Sequence, residues 1–146
     1  LNGNDVSTVI RNEEVGNMAS ATSVYPVVRT KLVELQQELA KKTDVIMDGR
    51  DIGTVVLPNA NVKIFLTASS RIRAQRRYDE LVAKGVECDL DAIEKDIIER
   101  DYRDMNRANS PLKKASDATE IDSTNMSIDD VVEKVLIIVK EKRGDK

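Results

Sequence analysis

Histidine is absent from this 146-residue sequence, and cysteine occurs once, at Cys88. The first absence removes the usual metal ligand and the usual general base near neutral pH. The second excludes an intramolecular disulfide and a cysteine-based zinc site, and it fits a reducing, cytoplasmic setting. Cys88 itself reads as an inert loop thiol. No apolar run approaches the ~20 residues that span a bilayer, and no signal-peptide pattern opens the chain. Charge is not one-sided either. Against 26 Asp and Glu stand 23 Lys and Arg, a formal charge of −3 at pH 7, so no global basic field draws in nucleic acid or an anionic membrane. Any anion site must be a local cluster of arginines. No repeat or low-complexity segment occurs.

The length suits one compact domain able to bury a core. The chain opens "LNGNDV" without Met, with the hairpin-turn dipeptide Asn2-Gly3 after a single apolar residue. This predicts the tail of a hairpin whose first strand is missing, hence a fragment or a removed segment. Ser7 and Asn12 can cap a polar helical region reaching about Ala21. Pro26 suits a first helical turn, and Val28, Leu32, Leu35 and Leu39 recur at helical spacing, predicting an amphipathic helix over 26–41. The run "VIM", 45–47, predicts a short buried strand, as does "VKIFLTA", 62–68. Ser69 or Ser70 caps the next helix, which reaches about Lys84 and ends at Gly85. Leu90, Ile93 and Ile97 mark a further helix, begun by Asp89 or Asp91 and running into "IIERDYRDMNR". "ATEIDS", 118–123, is a third strand candidate. Ser127 with Asp130 makes a capping-box-like start to a last helix ending near Lys142, with Ile128, Val131, Val135 and Ile138 inward. The alternation implies an α/β domain with a parallel sheet.

Ligands of such sheets sit beyond the carboxyl ends of the strands, where "DGRD", 48–51, falls. Gly49 would allow close approach of backbone or ligand, Arg50 offers a planar fork of donors suited to phosphate, and Asp51 offers an acceptor-only carboxylate. A β-hairpin turning at Asp48-Gly49 is the alternative. In "ERDYRDMNR", 99–107, Arg100, Asp104 and Arg107 share one helix face with Arg103 beside them, although alternating charge also fits a solvated face. Arg73 and Arg77, four apart on the preceding helix, repel each other and invite an anion partner, an argument diluted by Arg71, Arg76 and Lys84. Ser20 and Arg29 flank Pro26 and read, by themselves, as a cap and a solvated arginine.

Together "IRNEEVGNMAS", "YPVVR", "DGRDIGTVV", "KIFLTASSRIRAQRR" and "ERDYRDMNRANSPL" resemble bacterial cytidylate kinases, in order and at the family's spacing, over essentially the whole chain. The resemblance implies a P-loop nucleoside monophosphate kinase-like parallel sheet with flanking helices. It also implies a phosphotransferase that moves the terminal phosphate of ATP to CMP or dCMP, with Mg2+. No G-x-x-x-x-G-K-[ST] occurs in these residues. The fold is accordingly expected to be incomplete, with the first core strand and P-loop absent and ATP and Mg2+ held mainly by that absent segment. On this reading 1–41 belongs to the monophosphate-binding region, 42–84 supplies core strands and a helix, 85–110 the lid, and 111–146 the last core strand and helix. A catalytically inactive nucleotide-binding or assembly fragment, or a kinase for UMP or AMP, is the alternative.

The resemblance also implies residue roles. Asp51, with Ser20, would accept from the cytosine amino group, a recognised pairing, while Arg29 donates to the ring nitrogen and O2. Uracil would turn a carbonyl toward Asp51, a loss on the order of several kcal/mol. Arg50 would grip the CMP phosphate, joined by Arg107 on lid closure. Asp104 would accept from the sugar hydroxyls with Arg100 nearby. Arg77, and less directly Arg73, would face ATP. Arginines carried by a closing lid neutralise developing charge and exclude water, which suits phosphoryl transfer without a histidine. The family is usually monomeric, but unpaired strand edges would let a fragment associate. With the P-loop strand lying between them, strands 45–47 and 62–66 should run parallel at roughly 9 to 10 Å, two strand spacings, unless the gap closes by rearrangement.

Overall fold

The computed structural model describes residues 3–144. Leu1 and Asn2, and with them the expected hairpin tail, lie outside the described residues. The chain forms two units, Leu1–Ile46 and Met47–Lys146.

The first unit is helical: a 3-10 turn, Val9–Arg11, then α1, Glu13–Thr22, and α2, Pro26–Ala40. Asn12 takes the extended conformation of an N-cap, but its side chain makes no cap hydrogen bond. Ser7 caps nothing, because its backbone N and hydroxyl both donate to the Asp5 carboxylate at 2.9 and 2.6 Å. α2 begins where the sequence places it, with Pro26 in the first turn and Tyr25 extended before it, as the pre-proline clash demands. Its apolar stripe is not buried. Val28, Leu32, Leu35 and Leu39 are 39% to 52% exposed, because a stripe is covered only where another element offers a matching face, and α1 carries few apolar side chains.

The second unit holds the sheet. β1, Ile64–Thr67, and β2, Thr119–Asp122, pair in parallel with Ile64 opposite Thr119 and Thr67 opposite Asp122. Between them run α3, Ser70–Ala83, and α4, Leu90–Asn106, which pack on each other. The closing helix α5 is Ile128–Arg143. The helix starts follow from local chemistry: Ser69 and Asp89 accept from backbone N–H groups three residues on, and Ser127 with Asp130 forms a reciprocal capping box. α3 stops at Gly85, whose φ of +71° is a left-handed cap that glycine adopts without strain. Val56, Ala68, Ala74, Ile121 and Ile138 form the buried apolar core.

Two expectations fail in this unit or at its border. Residues 45–47 form no strand, and Ile46 is fully exposed. A strand exists only as one side of a hydrogen-bonded ladder, and among the described residues no segment pairs with this run. On α5, Ile128 is 83% exposed, since it stands in the first turn beyond the reach of the sheet. Val131 and Val135 are partly covered, and Ile138 is buried.

Candidate functional site

No hairpin forms at Asp48-Gly49. Instead the chain bends and then winds through a π-helical turn, Ile52–Val56. The Asp51 carbonyl gathers the N–H groups of Thr54, Val55 and Val56 at 3.3, 2.8 and 3.3 Å, and Val56 is driven into the core. A Cβ on Gly49 would stand 2.9 Å from Cγ1 of Ile52. The glycine is thus needed because the chain's own Ile52 folds back over the bend. The turn leaves Asp51 buried, at 8% exposure, and turns Arg50 toward α4.

There Arg50 meets the charged face that the sequence pattern marks, which carries Arg100, Asp104 and Arg107. Arg50 Nε donates to Asp104 Oδ2 at 3.2 Å, and Arg107 Nη1 lies 3.6 Å from Asp104 Oδ1. The side chains of Asp104 and Arg107 are 9% and 11% exposed, that of Arg50 45%. So this face of α4 is no solvated stripe. Its end is pinned as well: the Asp104 carbonyl accepts from Leu112 N at 2.8 Å, and Arg107 Nε donates to the carbonyl of Ser110 at 2.8 Å. One turn earlier, Arg100 Nε is buried with no hydrogen-bond partner among the described residues. An N–H in that state costs about 1–3 kcal/mol, which a ligand oxygen would recover.

Arg50 also lines a cavity of about 450 Å³ that runs along the whole of β1, together with Thr67, Arg73, Arg76, Asp101 and Ser123. Arg73 donates from Nε to the carbonyl of Ala68 at 3.0 Å and grips Asp101 with both terminal nitrogens at 3.1 and 2.6 Å. Arg77 is not at the cavity. It pairs at 2.9 Å with Glu80, whose carboxyl is held below its ordinary value by Lys84 first and Arg77 second. Each of these two arginines thus has a carboxylate within the chain, so their repulsion needs no external anion. Of the pair, Arg73 shares the lining of this cavity with Arg50. Arg71 is occupied too, its pKa raised by hydrogen bonds to Asp91 and then Glu94.

In the first unit Ser20 and Arg29 are each hydrogen-bonded to Ser23. Ser23 Oγ donates to the Ser20 carbonyl at 2.8 Å, and Arg29 Nη1 donates to the Ser23 carbonyl at 3.4 Å.

Sequence reasoning passed over Arg76 and Asp101. Arg76 clamps the loop after β2, with Nη2 2.6 Å from the Ser123 carbonyl and 3.3 Å from that of Met126, and Nη1 3.3 Å from Ser123 Oγ. Its signal was present in principle, since Arg73 and Arg76 lie three apart on one face of α3. For a metal the donor set is poor. Among the described residues no three His, Cys, Asp or Glu side chains converge on one point.

The family model described as cytidylate kinase matches residues 1–141. A cytidylate kinase of Lactobacillus gasseri is 54% identical over 143 residues, 98% of this chain and 62% of its own length. One from a Geobacillus species is 51% identical over 144 residues, 99% and 64% of the two chains. One from Streptococcus pneumoniae is 54% identical over 131 residues, 90% and 59%. The chain therefore spans 59% to 64% of the length of these curated relatives.

Proposed function

The chain belongs to the cytidylate kinase family, and from that membership we propose that it recognises the acceptor, CMP or dCMP, and supplies the lid in a transfer of the terminal phosphate of ATP. The observation that carries the reading is the cluster of Arg50, Asp104 and Arg107 beside the cavity, with Asp51 buried next to Arg50. Arg50 and Arg107 bring two guanidinium groups to one place, as a phosphate dianion requires. Asp51, whose carboxylate can accept but not donate, selects the cytosine amino group over the uracil carbonyl, with Ser20 and Arg29 completing the base contacts. Arg100 gives its buried Nε to a ligand oxygen. Region 85–110 acts as the lid, and its arginines stabilise charge on the transferring group while water is excluded.

ATP is the co-substrate, and Arg77, with Arg73, faces it. Magnesium, where bound, neutralises phosphate charge. Its ligands and the phosphate cradle belong to a G-x-x-x-x-G-K-[ST] loop that these 146 residues do not contain. That observation favours a second reading for the chain by itself, a nucleotide-binding unit without catalysis. A coupled assay with ATP and magnesium, joined to titration calorimetry with CMP, tests both. The expected result is CMP binding without turnover. Turnover would overturn the inactive reading, and absence of CMP binding would overturn acceptor recognition.

A further inference from the structure

We propose that the uncovered side of α5 is the interface of a symmetric dimer, in which the helix pairs antiparallel with α5 of a second copy of this chain. Ile128, Val132 and Leu136 recur every four residues along this side and are 83%, 50% and 52% exposed, and the partly covered Val139 continues the line. Val132, Leu136 and Val139 are four and three apart, the spacing of the apolar seam between two packed helices. Val131, Val135 and Ile138, on the adjoining side, are the ones that the chain covers itself. The seam is a second apolar face with no cover within the chain, and an exposed apolar stripe of this kind favours association.

Charge decides which partner fits. The start of α5, residues 128–133, carries Asp129, Asp130 and Glu133 and no cation, whereas 134–143 carries Lys134, Lys140, Lys142 and Arg143 against Glu141 alone. An antiparallel copy sets the acidic part against the basic part, and a parallel copy sets like on like. The helix dipole accounts for Asp129 and Asp130 in the first turn. It does not account for Glu133, which stands four residues from Asp129 and repels it. Neither Glu133 nor Lys140 has an ion-pair partner among the described residues. Both are exposed, and each directly follows a seam residue, so both stand on one flank of the seam. In an antiparallel twofold pair that flank meets its own copy. With the axis passing at Leu136, that side chain packs on Leu136 of the second copy, Val132 meets Val139, and Glu133 stands beside Lys140 in two equivalent places. No residue of α5 lines the cavity of the candidate site, so this inference and the nucleotide reading can fail separately.

The experiment is sedimentation equilibrium of the 146-residue chain over a concentration series at low and high salt. A monomer–dimer equilibrium that weakens with salt is expected. A chain that stays monomeric up to roughly 1 mM, or that forms open-ended oligomers, overturns the proposal. Leu136→Ser should weaken the dimer at least about tenfold, as the loss of a central apolar contact does, whereas Ile137→Ser, at a residue 49% exposed off the seam, should leave it unchanged. Equal effects of the two, or a dimer that survives Leu136→Ser, overturn the choice of face, and the second result points to pairing elsewhere, such as a sheet edge. Glu133→Lys and Lys140→Glu should each weaken the dimer roughly tenfold, because each turns two exposed attractions into repulsions. The two together restore the pairing with the charges exchanged, and the dimer should return to within about threefold of the parent, which a general loss of structure would not allow. Single exchanges without effect, or losses that add in the double variant, contradict the antiparallel arrangement.

Discussion

Replacing Arg76 by methionine keeps the aliphatic stem on α3 and deletes a guanidinium that holds three acceptors of the loop after β2. The strongest bond, 2.6 Å to the Ser123 carbonyl, reaches a residue only 3% exposed, so water cannot readily replace the lost donor. A hydrogen bond from a charged donor contributes about 1.5–3 kcal/mol, and a buried carbonyl left bare costs about 1–3 kcal/mol. The contacts at 3.3 Å add little, and the terms overlap. The expected loss is therefore about 2–3 kcal/mol in total. With an m-value of about 2 kcal/mol/M, the urea midpoint should fall by roughly 1–1.5 M. Arg77→Met is the matched control, a neighbour on the same helix of the same composition, paired only with Glu80 in its own turn, and it should leave the midpoint within error. Equal shifts for the two variants, or none for Arg76→Met, would refute the claim that the loop clamp distinguishes these arginines.

Gly49→Ala should destabilise by about 1–3 kcal/mol through overpacking, because its Cβ meets Ile52 at 2.9 Å. Ile52→Val in the same molecule should not restore stability, since valine keeps Cγ1, whereas Ile52→Ala should recover part of the loss, read by denaturant melts. One acid-dependent contribution comes from Asp117, bound at 2.7 Å by Lys63, whose side chain is 7% exposed. The Lys63 hydrogen bond lowers the Asp117 pKa from 3.8. The native state therefore binds this proton less readily than the unfolded chain, and the stabilisation is complete above pH 3.8 and is lost as pH falls toward the depressed native value. Asp117→Asn should thus be less stable than the parent at pH 6, with the difference shrinking by pH 3. A difference that grows on acidification would contradict the assignment.

Helix ends were legible because their causes are local. Ser69, Asp89 and the Ser127–Asp130 box act within one turn, and the structure has all three. The run 45–47 was misread for the complementary reason: its apolar residues suit a strand, but a strand depends on a distant partner that composition does not reveal. The faces of α2 and the start of α5 follow the same logic. Helical spacing identifies an apolar stripe at Val28, Leu32, Leu35 and Leu39 without saying what covers it, and here those residues remain half exposed. At the site, the pattern in 99–107 brought out Arg100, Asp104 and Arg107, and the buried Asp104 cluster includes two of them with Arg50. It could not rank the four arginines of α3, whose spacing is nearly uninformative and whose partners, Asp91, Asp101, Ser123 and Glu80, lie from 3 to 47 residues away.

The central claim, that a buried carboxylate beside a phosphate-gripping arginine reads the cytosine amino group, is tested most directly by the ratio of CMP to UMP affinity, measured by calorimetry for the chain and for Asp51→Ala. The account predicts a preference for CMP corresponding to several kcal/mol, on the order of a hundredfold or more, that collapses toward unity in Asp51→Ala while affinity for inorganic phosphate is retained. Equal affinity of the unsubstituted chain for CMP and UMP, or a preference that survives Asp51→Ala intact, would contradict it.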